Sequence, residues 1–234
     1  MSRKMLGIIG GMGPAATDLL YRRIIDRTDA ECDQEHIDMV ILNHASMPDR
    51  TEAIKSGNTE KVISLLRSDL HFLKNAGCEV VAIPCNTSHY FLSSLKADGT
   101  EVMNMVRLTS EYVKKLGRKK VAVLATDGTI GTGLYEKELN RAGVEYVAPD
   151  GETQKIVMKI IYDQIKKGFP GREEDFMKIH HFIKNQGCDG AILACTELSV
   201  FRDMAGLTDF YTDALEVLTE STILACGAKL KETV

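Results

Sequence analysis

No apolar run approaches the roughly 18–20 residues that a membrane-spanning helix needs, so the sequence offers no membrane partner. Charge of one sign is also scarce. Lys and Arg number 29 against 33 Asp and Glu, a formal net charge of -4 with no basic stripe, and nucleic acid is excluded as an expected partner. Neither a Cys-x-x-Cys pair nor a compact histidine cluster is present. Cys85 and His89 alone fall short of the tetrahedral ligand set of structural zinc, so no metal is expected. Low-complexity tracts and long linkers are missing too. Met1-Ser2-Arg3-Lys4 is basic, but the apolar stretch from Met5 to Gly10 is too short for a signal peptide and runs into glycines. The expectation is a cytoplasmic protein whose six cysteines are reduced thiols rather than a disulfide framework.

What is present is a repeat. His71-Phe72-Leu73-Lys74-Asn75-Ala76-Gly77-Cys78-Glu79-Val80-Val81-Ala82-Ile83-Pro84-Cys85 returns as His181-Phe182-Ile183-Lys184-Asn185-Gln186-Gly187-Cys188-Asp189-Gly190-Ala191-Ile192-Leu193-Ala194-Cys195. Each copy reads as a helix, a glycine stop and a buried strand, with a thiol just past the strand's end. Val62, Leu65, Leu66, Leu70 and Leu73 fall on one helical face ahead of Gly77, and Phe176, Ile179 and Ile183 do so ahead of Gly187. Leu6–Ile9, Met39–Leu42, Val80–Ile83, Val121–Leu124 and Ala191–Ala194 read as buried strands of parallel sheets.

This alternation predicts an α/β fold of two pseudo-symmetric lobes, each a mainly parallel sheet flanked by helices, with the active-site cleft between them. The first lobe is expected to comprise residues 1–104 plus 212–234, and the second 105–211. A last helix from about Asp213 to Lys231 should pack back on the first lobe. Ligands of open α/β sheets bind beyond the carboxyl ends of the strands, where Cys85 and Cys195 both fall. Two thiols flanking one carbon can remove a proton from one face and return it to the other, as a racemase or epimerase requires. The helix N-termini that follow them should hold a carboxylate and lower the thiol pKa from its free value of about 8.5. A lone cysteine in this position would read as core, but a matched pair points to chemistry. Cys78 and Cys188, at the opposite ends of the strands, read as packing residues, and Cys32 and Cys226 have no matched role.

Other candidates cluster at the same strand ends. Gly10-Gly11-Met12-Gly13-Pro14 is a tight turn that lets backbone approach a small ligand. It also fits a loose dinucleotide fingerprint, but the second strand ends in Asn43-His44-Ala45 without the acidic residue that fingerprint wants. Arg50 follows the second strand, where it either grips a carboxylate through paired hydrogen bonds or lies solvated in a loop. Lys166 ends a predicted helix, where a lysine is also an ordinary dipole partner. Thr126 could meet a ligand or cap the next helix.

Gly10–Pro14, Pro84-Cys85-Asn86-Thr87-Ser88-His89 and Ala194-Cys195-Thr196-Glu197-Leu198 resemble the signature segments of the aspartate/glutamate racemase family, on its aspartate racemase side. The resemblance spans essentially the whole chain. It implies a racemase of acidic amino acids that uses no cofactor, neither pyridoxal phosphate nor metal, and that assembles as a homodimer. It implies that Cys85 and Cys195 are the two acid/base thiols, that Arg50 binds a substrate carboxylate and that Lys166 binds the side-chain carboxylate. Asn86, Thr87 and Thr196 would line the α-carboxylate and amino-group site, with Met12, Thr126 and Glu197 also against substrate. Glutamate racemases typically carry histidine where this chain has Glu197, which tilts the expectation toward aspartate. Three alternatives stand beside this one. They are a maleate isomerase-like enzyme on a small dicarboxylic acid with Cys85 as nucleophile, a dinucleotide-dependent oxidoreductase and a non-catalytic binding module.

Overall fold

The computed structural model describes residues 3–95 and 99–232; Met1 and Ser2 of the basic start lie outside them. In chain order the first elements are β1 (Leu6–Gly10), α1 (Pro14–Arg27), β2 (Met39–Asn43), α2 (Arg50–Ser56), α3 (Glu60–Asn75) and β3 (Val80–Ala82). A 3₁₀ helix over Asn86–Ser94 follows, then β4 (Glu101–Val102), α4 (Met105–Lys115) and β5 (Lys120–Leu124). The chain continues through α5 (Asp127–Gly131), α6 (Leu134–Ala142), β6 (Glu145–Val147) and α7 (Gly151–Met158). A π-helix over Lys159–Gln164 and a 3₁₀ turn over Ile165–Lys167 lead to α8 (Glu173–Asn185), β7 (Gly190–Leu193), α9 (Thr196–Ala205), β8 (Tyr211–Asp213) and α10 (Ala214–Ala225).

The strands form two four-stranded parallel sheets of matching order, β2-β1-β3-β4 and β6-β5-β7-β8, flanked by helices. In the first, Leu6 pairs with both Met39 and Val80; in the second, Ala191 pairs with both Ala122 and Tyr211. Five strands were expected, and these sheets add β4, β6 and β8. All three are edge strands of two or three residues, too short to carry a periodic signal. The expectation that β2 is buried fails: as the other edge of its sheet it is half-exposed, with Ile41 open to solvent.

Chain contacts gather into two compact units, Met1–Met105 with Leu215–Val234, and Val106–Ala214. In the first unit Val62, Leu66, Leu70 and Leu73 of α3 are buried against Val81, Ile83 and Phe91. In the second, Phe176, Ile179 and Ile183 of α8 pack with Ala191, Leu193 and Leu198. Each such side chain contributes about 1.5–3 kcal/mol of burial. Gly77 and Gly187 stop the two helices in the left-handed region, at φ 91° and 68°. The last helix stops at Ala225, short of the expected Lys231. Gly227 turns left-handed at φ 78°, and the following segment pairs with the end of α1 instead, through a Thr28–Leu230 bridge. Glu216 of α10 bridges Arg23 and Arg27 of α1.

Candidate active site

In the first unit, Cys85 sits two residues beyond Ile83 in extended conformation and heads the 3₁₀ helix, its carbonyl accepting from the Ser88 amide at 3.1 Å. The thiol is buried. The neighbouring turn after β1 demands glycine. Gly11 has φ 85°, and a Cβ there would lie 2.4 Å from the His44 carbonyl carbon. Its amide donates to Thr17 Oγ1 at 2.9 Å, which fixes the turn on the first helix. The turn presents Met12, and Met12 connects two candidates. Its carbonyl accepts from Arg50 Nη2 at 3.0 Å, and its sulfur accepts from Ser88 Oγ at 3.3 Å.

Arg50 opens α2, which Asp49 caps by accepting from the Glu52 amide. The guanidinium is buried rather than solvated, and its Nη1 donates to the Pro48 carbonyl at 2.8 Å. The first unit thus gathers Met12, Arg50, Cys85, Asn86 and Thr87, all buried, at the carboxyl ends of its strands. A guanidinium held on several carbonyls is fixed in orientation.

In the second unit, Cys195 follows β7 and heads α9, its carbonyl accepting from the Leu198 amide at 2.9 Å. Its Sγ donates to Glu197 Oε2 at 2.9 Å. The other carboxylate oxygen, Oε1, meets Lys166 Nζ at 3.3 Å. Glu197 is therefore a buried carboxylate between a thiol and an ammonium, in the first turn of α9 where the helix dipole favours negative charge. Lys166 reaches it from the 3₁₀ turn with its side chain 26% exposed, passing 4.9 Å from the centre of the Tyr162 ring.

The π-helix before Lys166 is an unusual element, often found at functional sites. Its last residue, Gln164, is buried and pins the loop. Gln164 Oε1 accepts from the Arg172 amide and Nε2 donates to Asp175 Oδ2, both at 2.9 Å. The Lys159 ammonium, 2.8 Å from Asp175, holds that carboxyl below its usual range. Thr126 caps α5, accepting from the Thr129 amide at 3.3 Å, so of its two expected roles the capping one is visible. Thr196 is buried beside Cys195.

The expected lowering of the thiol pKa fails at Cys195. Burial, and then the Glu197 carboxylate beside it, push this thiol well above its ordinary value, with Lys166 pulling the other way. Desolvation of the charged form outweighs the helix end. Cys78 and Cys188 are buried before β3 and β7, and burial raises both thiols as well. Cys226 is pushed up to about 11 by burial, and Cys32 is exposed. Ser88 was expected, with Asn86 and Thr87, among the polar residues after Cys85, whereas Gln164 was absent from the expected site because it acts through a loop that sequence spacing does not reveal.

The sequence profile of Asp/Glu/Hydantoin racemases matches residues 9–209. The chain is 24% identical over 230 residues to the broad specificity amino-acid racemase RacX of Bacillus subtilis, spanning 94% of this chain and 96% of that one. The Picrophilus torridus aspartate racemase structure superposes with a TM-score of 0.82 at 31% identity, covering 97% of this chain and 96% of that chain. An aspartate racemase homologue from Pyrococcus horikoshii OT3 shares the fold, with a TM-score of 0.77 at 23% identity over 96% and 99% of the two chains. With the two parallel sheets and the matched thiol turns in place, these comparisons assign the lineage: the chain belongs to the Asp/Glu/Hydantoin racemase family, a family of isomerases.

Proposed function

We propose that this protein is a cofactor-independent racemase of acidic amino acids, aspartate first and glutamate second, in which Cys85 and Cys195 are the two acid/base groups. The observation that carries the reading is the matched position of the two thiols. Each follows the third strand of its own unit and heads the next helix, in copies of one sequence segment. The likeness to the Picrophilus aspartate racemase supports the substrate class. A homodimer belongs to the same reading on the strength of the whole-chain resemblance, and the cytoplasm belongs to it as the expected location.

The reaction is a 1,1-proton transfer. One cysteine, as thiolate, takes the α-proton, and the electron pair left on Cα delocalises into the α-carboxylate. The other cysteine, as thiol, gives its proton to the opposite face and becomes the thiolate. Turnover in the other direction reverses the roles, so both sulfurs are needed. The α-proton is weakly acidic, and the developing charge needs hydrogen bonds and cations aimed at the carboxylates. Arg50 supplies a fixed cation in the first unit and Lys166 one in the second.

Glu197 has a specific part. In the resting protein Cys195 carries its proton, because burial and the adjacent carboxylate disfavour the thiolate. For Cys195 to act as base, that proton passes from Sγ to Glu197 Oε2 along the 2.9 Å hydrogen bond, leaving a thiolate and a neutral carboxyl. A substrate side-chain carboxylate that draws Lys166 away from Glu197 makes Glu197 a better proton acceptor, so dicarboxylates favour their own turnover.

The test is proton NMR of L-aspartate and L-glutamate in deuterated buffer, with purified protein, a thiol reductant and no added cofactor. Loss of the α-proton signal with appearance of the D-enantiomer on chiral analysis is expected, fastest with aspartate. Racemisation of both amino acids should vanish in Cys85→Ser and Cys195→Ser, while the remaining thiol can still exchange the α-proton of the one enantiomer it faces. Near-normal turnover in either variant refutes the two-thiol reading, and inertness of the wild-type protein toward both amino acids refutes the substrate class.

A further inference from the structure

The two thiol turns share a feature four residues beyond the sulfur. In the first unit that residue is His89, fully buried. Its Nε2 lies 3.0 Å from the Met105 amide, which can only donate, and 3.3 Å from the Met103 carbonyl; the shorter Met105 contact makes Nε2 the acceptor and puts the ring proton on Nδ1. Nδ1–H then donates to the Cys85 carbonyl at 2.9 Å. Burial depresses the imidazole below its ordinary range and favours this neutral form. In the second unit the corresponding residue is Ser199, also fully buried. Its Oγ donates to Asp213 Oδ1 at 2.6 Å, and Asp213 ends β8.

Met105 and Asp213 occupy matching places. Met105 is the last residue of the first unit before the chain crosses to the second, and Asp213 lies one residue before Ala214, where it crosses back. Both follow or end the edge strand that pairs with the thiol-bearing strand, β4 beside β3 and β8 beside β7. Different chemistry therefore makes the same connection twice, through an imidazole between the Cys85 carbonyl and the Met103–Met105 backbone in one unit and a hydroxyl on a carboxylate in the other.

We propose that His89 and Ser199 are paired positioning residues, each locking its thiol turn to the crossing segment of its own unit so that sulfur and crossing form one rigid block. Neither touches the reacting atoms. The effect on turnover rests on the racemase reading, but the effect on each thiol does not.

The experiment therefore reads the thiols directly. Wild-type protein and four variants are alkylated with iodoacetamide at fixed pH, and modification of the Cys85 and Cys195 peptides is followed separately by mass spectrometry. His89→Asn keeps a donor for the Cys85 carbonyl but cannot reach Met105. His89→Gln places an acceptor near Met105 but loses the Cys85 carbonyl. Ser199→Ala removes the second lock, and Asp213→Asn retains an acceptor for Ser199. Each His89 variant should speed alkylation at Cys85 about fivefold or more and leave Cys195 unchanged, as local loosening predicts. Ser199→Ala should do the reverse, and Asp213→Asn, which keeps an acceptor for Ser199 but gives up the charge 3.9 Å from Arg202, should stay near the wild-type rate. Racemisation kcat should fall about tenfold in the first three variants with KM within about twofold, the pattern of a misplaced reacting group. Rates that rise together at both cysteines in step with lost thermal stability would overturn the proposal, because that pattern marks general destabilisation. Unchanged rates at the near cysteine in a folded variant would overturn it as well. Should His89 variants not fold, the Ser199 and Asp213 pair decides by the same criteria. A wild-type protein without racemase activity refutes the proposed function and leaves the alkylation result standing.

Discussion

Replacing Glu197 with glutamine separates two effects that usually move together. The substitution preserves shape and leaves an amide next to Cys195 Sγ, but it removes the negative charge that now sits 2.9 Å from the sulfur and 3.3 Å from Lys166 Nζ. Two of the influences that raise the Cys195 pKa, the charge of Glu197 and its hydrogen bond, disappear, while the lowering influence of Lys166 remains. The thiol should therefore become more acidic, and the pH midpoint of Cys195 alkylation should move down. Turnover should move the opposite way. Losing a positioned proton acceptor costs about 10²–10⁴-fold in rate, and the retained Lys166 charge places this site near the lower end. A kcat reduced about 100-fold corresponds to about 2.7 kcal/mol in the barrier. The stability cost is set by the Lys166 ammonium left without its partner; that side chain is 26% exposed, so the loss should stay below the cost of about 3–5 kcal/mol for breaking a fully buried pair. The assays are chiral turnover of aspartate, peptide-resolved alkylation from pH 6 to 10 and thermal unfolding, all on the full chain. A variant with near-normal kcat, or one whose alkylation midpoint rises, would refute the proton-acceptor role.

Two further outcomes follow from the same geometry. Gly11→Ala puts a Cβ against the His44 backbone at a φ that L-residues avoid, so about 3 kcal/mol of stability should go, and the melting temperature should fall by about 6–12 °C on a calorimetric scan. Acidification should expose His89. Its folded pKa lies below the ordinary value of 6.5, so unfolded chains take up the proton first. Its contribution is complete above pH 6.5 and is lost as pH falls through the lower folded value. Denaturant titrations of His89→Gln should lack this part of the acid sensitivity, and an equal acid slope in variant and wild type would contradict the assignment.

The sequence made the main architecture readable through the repeat. Gly77 and Gly187, the apolar stripes of α3 and α8, and the thiols beyond β3 and β7 are all local patterns, and local patterns leave periodic signals. The edge strands did not, because β4 has two residues and β6 and β8 three each, and their pairing energy comes from neighbours distant in sequence. The site divided along the same line. The Arg50 position was readable from its place after β2, but its burial on the Met12 and Pro48 carbonyls depends on a long-range contact. Glu197 was expected against substrate; its bonds to Cys195 and Lys166 were not foreseen. That pairing brings together residues 31 apart in sequence through a π-helix whose irregular hydrogen bonding no periodicity announces. The thiol pKa went the other way for a related reason. A helix end is visible in sequence, but the degree of desolvation that outweighs it belongs to the folded core.

The unequal surroundings of the two sulfurs carry a thermodynamic consequence. Cys195 lies against a carboxylate, whereas Cys85 heads a turn built from Asn86, Thr87 and Ser88. On the two-thiol reading, the enzyme that meets a D-substrate is chemically different from the one that meets its mirror image. Yet mirror-image amino acids have the same free energy in water, so the equilibrium between them is one to one whatever the catalyst looks like. The quotient kcat/KM must then be identical in the two directions. Whatever asymmetry Glu197 introduces is confined to raising or lowering kcat and KM by a common factor for one enantiomer. A lopsided site can hold one hand of its substrate longer, but it cannot accumulate it.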